Sequence, residues 1–224
     1  MDATSAVLPS PDIIRQFPIF PALAAENIIV IQTQEQCEAI RSELSEIFIL
    51  GFDTESKPTF RKGEISTGPH LIQLVSFEKA YLFQVSPDVL AFLQPILANP
   101  KQIKVGFGLK NDAHLFRKKG IELNGIVDLA KSFTHFGIKT QMGVKNAIAL
   151  LFQQHFIKNK KISTSNWSKK ALTAEQIFYA AADAYAPVLI LEELLRLGIT
   201  PNTSFKFPLK YPIRTNAIKD QTEA

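Results

Sequence analysis

Four carboxylates and a tyrosine have types and a spacing that could serve metal-dependent chemistry. Asp53 and Glu55 end the apolar segment "FILGFDTE", and at two positions apart in a strand their carboxylates share one face of a sheet. Asp112 follows "KVGFGLKN" in the first turn of a predicted helix. Tyr179 and Asp183 are four positions apart in "FYAAADAYAP", which places the phenol and the carboxylate on one face of a helix.

Carboxylates that converge repel one another unless cations neutralise them, and oxygen ligands suit Mg²⁺ or Mn²⁺. Two such ions about 3.5–4 Å apart can activate a water and stabilise the leaving oxygen of a phosphodiester. Taken one at a time, the acids have simpler interpretations. Asp112 could serve a helix N-terminus, Asp183 could be a partly buried hydrogen-bonded acid, and Asp53 with Glu55 could be a solvated strand end.

Other chemistries lack their sequence patterns. A single cysteine, Cys37, excludes an internal disulfide, and the histidines are too dispersed for a zinc site: His70, His114, His135 and His155. There is no G-x-S-x-G segment for acyl transfer. The segment "GFGLKND" lacks a third glycine and a P-loop Lys-Ser/Thr pair, so we expect no nucleotide cofactor.

The composition is that of a globular, mildly basic protein. The chain has 224 residues, 46% of them hydrophobic, which suits one domain with one core. We find neither a secretory signal nor an apolar run of the roughly 20 residues that a membrane helix needs, so we expect a soluble, cytoplasmic protein. The net charge of +4 fits a solvated surface, but Lys and Arg cluster in four segments that could bind phosphates: 57–63, 117–120, 158–161 and 168–170.

Strand and helix patterns alternate along the chain. Strands are predicted at 27–32, 47–55, 70–77, 80–85 and 103–108, with a short strand or turn at 125–130. Capping boxes at Thr33 and Thr173 begin helices that end near residues 44 and 197, and further helices are predicted at 88–98, 110–119 and 144–152. The basic segment 158–170 is predicted to be a loop.

This order of elements predicts a single α/β domain with a mixed sheet flanked by helices. We place that domain at residues 27–198. The proline-containing segments on either side are predicted to be an irregular N-terminal lead-in, 1–26, and an irregular C-terminal tail, 199–224.

Three motifs, in order, resemble the DEDD superfamily of 3′–5′ exonucleases, which has a ribonuclease H-like fold. They are "GFDTE", "KVGFGLKNDAHLF" and "SNWSKKALTAEQIFYAAADAYAP", and "LIQL", "IVDLAKSF" and "KTQMGVKNAI" between them agree as well. The resemblance covers roughly residues 28 to 197 and is strongest to ribonuclease D and to the exonuclease domain of the Werner syndrome protein. A tyrosine four residues before the last acid marks the Tyr subclass, DEDDy.

The resemblance implies a two-metal-ion 3′–5′ exonuclease that releases 5′-mononucleotides from a nucleic acid. Asp53 would bridge both ions, Glu55 would complete one site, and Asp112 would act mainly through the second ion. Asp183 would ligate the ion on the side of the nucleophile, and Tyr179 would orient the attacking water.

The residues that contact substrate are less defined by the motifs. Glu55 and the backbone at Thr54 would hold the terminal 3′-OH, and Lys169 could contact phosphates. His114 could face the terminal nucleotide or lie on a helix surface, and Trp167 could stack on a base or pack against the last helix. The pattern leaves open DNA or RNA, single-stranded or recessed 3′ ends, and an alternative function as an inactive nucleic-acid-binding or scaffold module.

Overall fold

Six strands form one mixed sheet, as the sequence predicts. The structure is a computed structural model that describes residues 7–59 and 67–201 together with Phe207. The strands are β1 (Ile28–Ile31), β2 (Ile49–Glu55), β3 (Leu71–Val75), β4 (Ala80–Gln84), β5 (Ile103–Gly106) and β6 (Ile126–Asp128).

The sheet has the order β1-β4-β3-β2-β5-β6, which places β2 near its centre. β2 runs antiparallel to β3 on one side and parallel to β5 on the other, and the outer pairs β1–β4 and β5–β6 are parallel. β3 and β4 form an antiparallel hairpin. β5 pairs only with residues 49–51 of β2, so the carboxyl end of β2 is paired with β3 and, among the described residues, has no strand on its other side.

Seven helices are found among the described residues, on both faces of the sheet. They are α1 (Pro11–Ile14), α2 (Gln34–Glu46), α3 (Pro87–Ala98), α4 (Lys110–Lys118), α5 (Val144–Phe152), α6 (Lys160–Ser163) and α7 (Ala174–Arg196). Both predicted capping boxes are present. The hydroxyls of Thr33 and Thr173 accept from the backbone N–H groups of Gln36 and Gln176. The side-chain oxygens of these glutamines in turn accept from the backbone N–H groups of the two threonines. These caps explain why α2 and α7 begin where the sequence predicts.

Two apolar layers hold the helices to the sheet. One layer joins α5 and α7 to the sheet face that carries Leu71 and Val75, and the other joins α2 and α3 to the face that carries Leu50 and Ile72. Because successive strand residues alternate between faces, Asp53 and Glu55 belong to the face covered by α7. The long helix α7 therefore faces both carboxylates.

Two segments predicted as irregular contain short helices. The N-terminal lead-in forms α1, whose first turn is capped by Ser10, and Phe20 then packs on Phe156 with ring centroids 5.4 Å apart. The predicted loop 158–170 contains α6, which is capped by the Asn159 side chain. Prolines in the lead-in and polar residues in 158–170 suggested irregular structure, and a single capped turn leaves no apolar periodicity that would reveal a helix. The predicted tail lies mostly outside the described residues.

Candidate active site

β2 and α7 bring three of the four predicted acids together. Potential ligand oxygens of Asp53, Glu55 and Asp183 all lie within 4.8 Å of one another. Asp53 and Glu55 lie on the same face of β2 because they are two residues apart, and their cross-strand partners on β3 are Gln73 and Leu71. Glu55 and Asp183 are buried, whereas Asp53 is partly exposed.

A glycine in β2 allows α7 to approach this closely. A Cβ added at Gly51 would lie 1.7 Å from the carbonyl oxygen of Ala184, far inside any permitted contact. Ala184 follows Asp183 directly, so the absence of a side chain at Gly51 lets the α7 backbone rest on the strand and delivers the carboxylate to Asp53. Gly51 belongs to the same "GFDTE" motif as Asp53, and a glycine inside a strand is the signal that could have indicated this close approach.

Asp112 is held beside the three-acid cluster by a residue of β2. The Thr54 hydroxyl donates a hydrogen bond to Asp112 Oδ1 at 2.5 Å, and the Thr54 backbone N–H donates to Asp53 Oδ1 at 2.9 Å. Thr54 thus contacts both acids, although the first motif suggested only that its backbone meets the substrate. Asp112 lies in the first turn of α4, where the helix dipole favours a carboxylate.

Asp128, at the end of β6, positions the start of α4. Its carboxylate accepts hydrogen bonds from the backbone N–H groups of Gly108, Leu109 and Ala130 at 2.9–3.0 Å. The bonds from Gly108 and Leu109 fix the turn between β5 and α4, and through it the place of Asp112. With three backbone donors, Asp128 has the hydrogen bonding of a structural acid.

Mutual repulsion and burial disfavour charge on the clustered acids. Burial, followed by the charges of Asp183 and Asp112, raises the pKa of Asp53 to about 8. Burial and the charge of Asp53 raise the pKa of Glu55 to about 9. Burial also raises the pKa of Asp112 and of Asp183. A site with these shifts favours a bound cation, since the cation removes the cost of ionising the carboxylates.

Lys158 supplies the positive charge that the structure shows at this site. Its Nζ donates to Asp183 Oδ2 at 3.0 Å and lies 5.9 Å from the centroid of the Tyr179 ring. Asp183 Oδ1 is buried with no donor among the described residues at hydrogen-bonding distance, although the Tyr179 hydroxyl interacts with the Asp183 carboxylate. The sequence predicts Lys158 only as one of several lysines that could contact phosphates, because nothing local pairs it with an acid twenty-five positions away.

Tyr179 lies one helical turn before Asp183 and is supported by Trp167. Burial, and second the charge of Asp183, raises the pKa of the Tyr179 phenol, so the hydroxyl stays protonated at neutral pH. The Tyr179 and Trp167 rings have centroids 6.3 Å apart, and the Trp167 indole N–H donates to the Ser163 carbonyl at 3.2 Å. Trp167 is fully buried and packs against α7 through Tyr179. Of the two roles predicted for it, stacking on a base is therefore wrong.

The other two predicted substrate contacts stay outside the cluster. His114 is exposed on α4, two residues after Asp112. Lys169 is also exposed, and its backbone carbonyl accepts a hydrogen bond from the Gln84 amide at 2.9 Å. Nothing in the geometry joins either side chain to the acids, so their roles stay predictions.

None of the helices in the described part of the chain has the length and hydrophobicity of a membrane-spanning segment.

The chain resembles known exonucleases over most of its length. The family model described as "3'-5' exonuclease" matches residues 28–198. The mouse "Bifunctional 3'-5' exonuclease/ATP-dependent helicase WRN" is 29% identical over 195 residues, which cover 82% of this chain and 14% of that protein. A 3′–5′ exonuclease of Arabidopsis thaliana is 27% identical over 148 residues, covering 63% of this chain and 51% of its own. The match thus takes in between about one seventh and one half of these two relatives.

Solved structures with the same fold have lower sequence identity. The Nibbler EXO domain of Aedes aegypti has a TM-score of 0.67 and 22% identity, covering 80% of this chain and 94% of its own. Trypanosoma brucei RNase D in complex with RNA U12 has a TM-score of 0.65 and 19% identity, covering 82% and 64%. These structures confirm the ribonuclease H-like fold. Because the family model matches residues 28–198, which is most of the chain, the protein belongs to the 3′–5′ exonuclease family.

Proposed function

We propose that the protein is a metal-dependent 3′–5′ exonuclease that hydrolyses phosphodiester bonds at nucleic-acid 3′ ends and releases 5′-mononucleotides. One observation carries the proposal: acids from β2 and α7, far apart in the chain, converge until their oxygens lie within 4.8 Å. Membership of the family supports it. The inactive-module alternative has no comparable support, since every acid of the three motifs and Tyr179 are present.

The donor set fits hard divalent cations. Asp53, Glu55 and Asp183 offer carboxylate oxygens, and Asp183 Oδ1 is buried without a donor, as an atom reserved for a ligand would be. These three residues would hold Mg²⁺ or Mn²⁺, and Asp112 would complete a second site. Two such ions activate a water and stabilise the leaving oxygen in phosphodiester hydrolysis.

The protein's own side chains position the reactants. Tyr179, with its raised pKa, keeps its hydroxyl proton and can hydrogen-bond the attacking water from the side of Asp183. Burial of Trp167 behind Tyr179 limits movement of the phenol ring. Thr54 holds Asp112 through its hydroxyl and Asp53 through its backbone N–H, so it positions two of the acids. A contact of the Thr54 backbone to the terminal 3′-OH stays a prediction.

The substrate is proposed to be a nucleic acid with a single-stranded or recessed 3′ end. A structure similar to this one, RNase D of Trypanosoma brucei, was solved in complex with RNA, and this supports nucleic acid as the substrate class. Exposed Lys169 and His114 are candidates for contacts to phosphate and to the terminal nucleotide. Phosphate contacts of this kind weaken as salt rises.

The test uses single-stranded DNA and RNA of the same sequence, each labelled at the 5′ or the 3′ end, and the matching 3′-recessed duplexes. With Mg²⁺ or Mn²⁺ we expect 5′-labelled strands to shorten stepwise, whereas 3′-labelled strands release labelled mononucleotide from the first turnover. EDTA should stop both reactions. A preparation of Asp183→Asn, purified in parallel, controls for contaminating nucleases. Retained binding without cleavage under either metal would contradict the proposal and favour the inactive module.

A further inference from the structure

Lys158 places a positive charge against the acids. The residue lies in the segment 153–159 between α5 and α6, and its Nζ is 3.0 Å from Asp183 Oδ2. The same ammonium lies 5.9 Å from the Tyr179 ring centroid. The ion pair therefore occupies one oxygen of a carboxylate that the proposed function assigns to a metal.

The two partners of this ion pair differ in their access to solvent. The Lys158 side chain is 43% exposed, whereas that of Asp183 is 3% exposed. A lysine reaches such a site from the surface through a flexible four-carbon stem, so its ammonium can return to water without opening the core. Asp183 is fixed within α7 and cannot follow.

A divalent ion and this ammonium compete for the same carboxylate. An ion held by Asp183, Asp53 and Glu55 would carry twice the charge of Lys158 and lie a few ångströms from it, so the two cations repel. The ammonium makes one hydrogen bond to the cluster, while the ion can take oxygens from all three acids.

We propose that Lys158 is the resident counter-ion of the metal-free site, which a divalent ion displaces from Asp183. This inference rests on the proposed function, because it needs a metal bound by these acids. In this role Lys158 neutralises the carboxylates in the absence of metal and lowers their affinity for a divalent ion. The competing role is that Lys158 holds Asp183 in place for the metal and so strengthens metal binding.

Metal binding by substituted proteins separates the two roles. The full chain is freed of metal with EDTA, and Mn²⁺ affinity is measured from the free Mn²⁺ signal in electron paramagnetic resonance. Lys158→Met keeps most of the stem and removes the charge, so we expect Mn²⁺ to bind about tenfold more tightly. Lys158→Arg should stay close to the wild type. Lys161→Met, an exposed lysine of α6, should also leave affinity unchanged.

Thermal melting gives a second readout that needs no activity. In EDTA, Lys158→Met should melt below Lys161→Met, because the clustered carboxylates have lost their counter-ion. Saturating Mn²⁺ should abolish that difference. A melting difference that persists unchanged with Mn²⁺ would show that Lys158 stabilises the fold without competing with metal, and would overturn the inference.

The binding result also separates this inference from the proposed function. If the wild-type protein binds Mn²⁺ and cleaves, but Lys158→Met binds equally or more weakly, only the counter-ion role is overturned. If the wild-type protein binds no Mn²⁺, both are overturned. Tighter binding in Lys158→Met, with unchanged binding in Lys161→Met, supports the inference.

Discussion

Buried polar side chains lie at both ends of the parallel β2–β5 pair, but only those at one end are well supplied with hydrogen bonds by the protein. At the amino end of β5, the Gln102 amide donates to two backbone carbonyls at 2.7 and 2.9 Å. Beside it, Lys104 is fully buried and its Nζ donates to the Ile96 and Asn99 carbonyls at 3.1 and 2.7 Å. These donors bind carbonyls at the carboxyl ends of α2 and α3, where the regular intrahelical hydrogen bonds end.

At the carboxyl end of β2 the polar groups are underpaired. Asp53, Glu55 and Asp183 face one another, with one displaceable lysine as the counter-charge, and Asp183 Oδ1 has no donor among the described residues. The comparison teaches that hydrogen bonding within the chain distinguishes the two kinds of buried polar group. The paired groups complete the ends of two helices, whereas the clustered carboxylates keep oxygens that can take a ligand from outside.

The largest effect is expected from Asp53→Asn. The change removes a metal ligand shared by the cluster, and we expect the cleavage rate to fall by roughly 1,000-fold, about 4 kcal/mol of transition-state stabilisation. Initial rates on a 5′-labelled strand measure it. A variant that cleaves as fast as the wild type would remove Asp53 from the metal site.

The same variant should be more stable than the wild type without metal. Since the folded pKa of Asp53 is about 8, far above its value in an unfolded chain, ionisation destabilises the folded wild type increasingly from about pH 4 up to pH 8. The gain in melting temperature of Asp53→Asn in EDTA should therefore widen as the pH rises over this range. A gain that is absent at pH 8–9 would mean that the acids do not repel.

Tyr179→Phe should have the next largest effect. The ring and its contact with Trp167 are kept, but the hydroxyl that orients the water is lost, so we expect turnover to slow by roughly 100-fold. Mn²⁺ affinity should not change, because no metal ligand is altered. Equal turnover in Tyr179→Phe and the wild type would remove the phenol from the mechanism, whereas weakened Mn²⁺ binding would make it a metal-site residue.

Lys104→Met tests the other end of the strand pair and should have the smallest effect on catalysis. It leaves the Asn99 carbonyl without the Lys104 donor and the Ile96 carbonyl with only the Asn99 N–H, so we expect the free energy of unfolding to fall by about 1–3 kcal/mol. Urea unfolding measures this, with the exposed Lys101→Met as control. Cleavage per folded molecule should be unchanged. A variant with normal stability and impaired cleavage would invalidate the contrast between the two ends.

Sequence patterns predicted the parts of the molecule that local chemistry determines. The reciprocal caps at Thr33 and Thr173 fix where two helices begin, and the two-residue spacing of Asp53 and Glu55 fixes their common face. The spacing of Tyr179 from Asp183 fixes their shared helix face in the same way. Each of these depends on residues within a few positions of one another.

The parts that depend on contacts between distant segments could not be predicted. The close approach of α7 at Gly51, the pairing of Lys158 with Asp183 and the burial of Trp167 arise only when α7 is laid on the sheet. A glycine, a lysine in a basic run and a tryptophan in a polar segment each have several common roles. Only the packed structure selects one of them.

The central claim is that the underpaired carboxylates between β2 and α7 bind divalent metal. An anomalous difference map of crystals soaked in Mn²⁺ tests it most directly. The account predicts a strong peak among the carboxylates of Asp53, Glu55 and Asp183, with the Lys158 ammonium moved away from Asp183. A map without a peak at these residues, in crystals where the Lys158–Asp183 ion pair remains intact, would contradict the account.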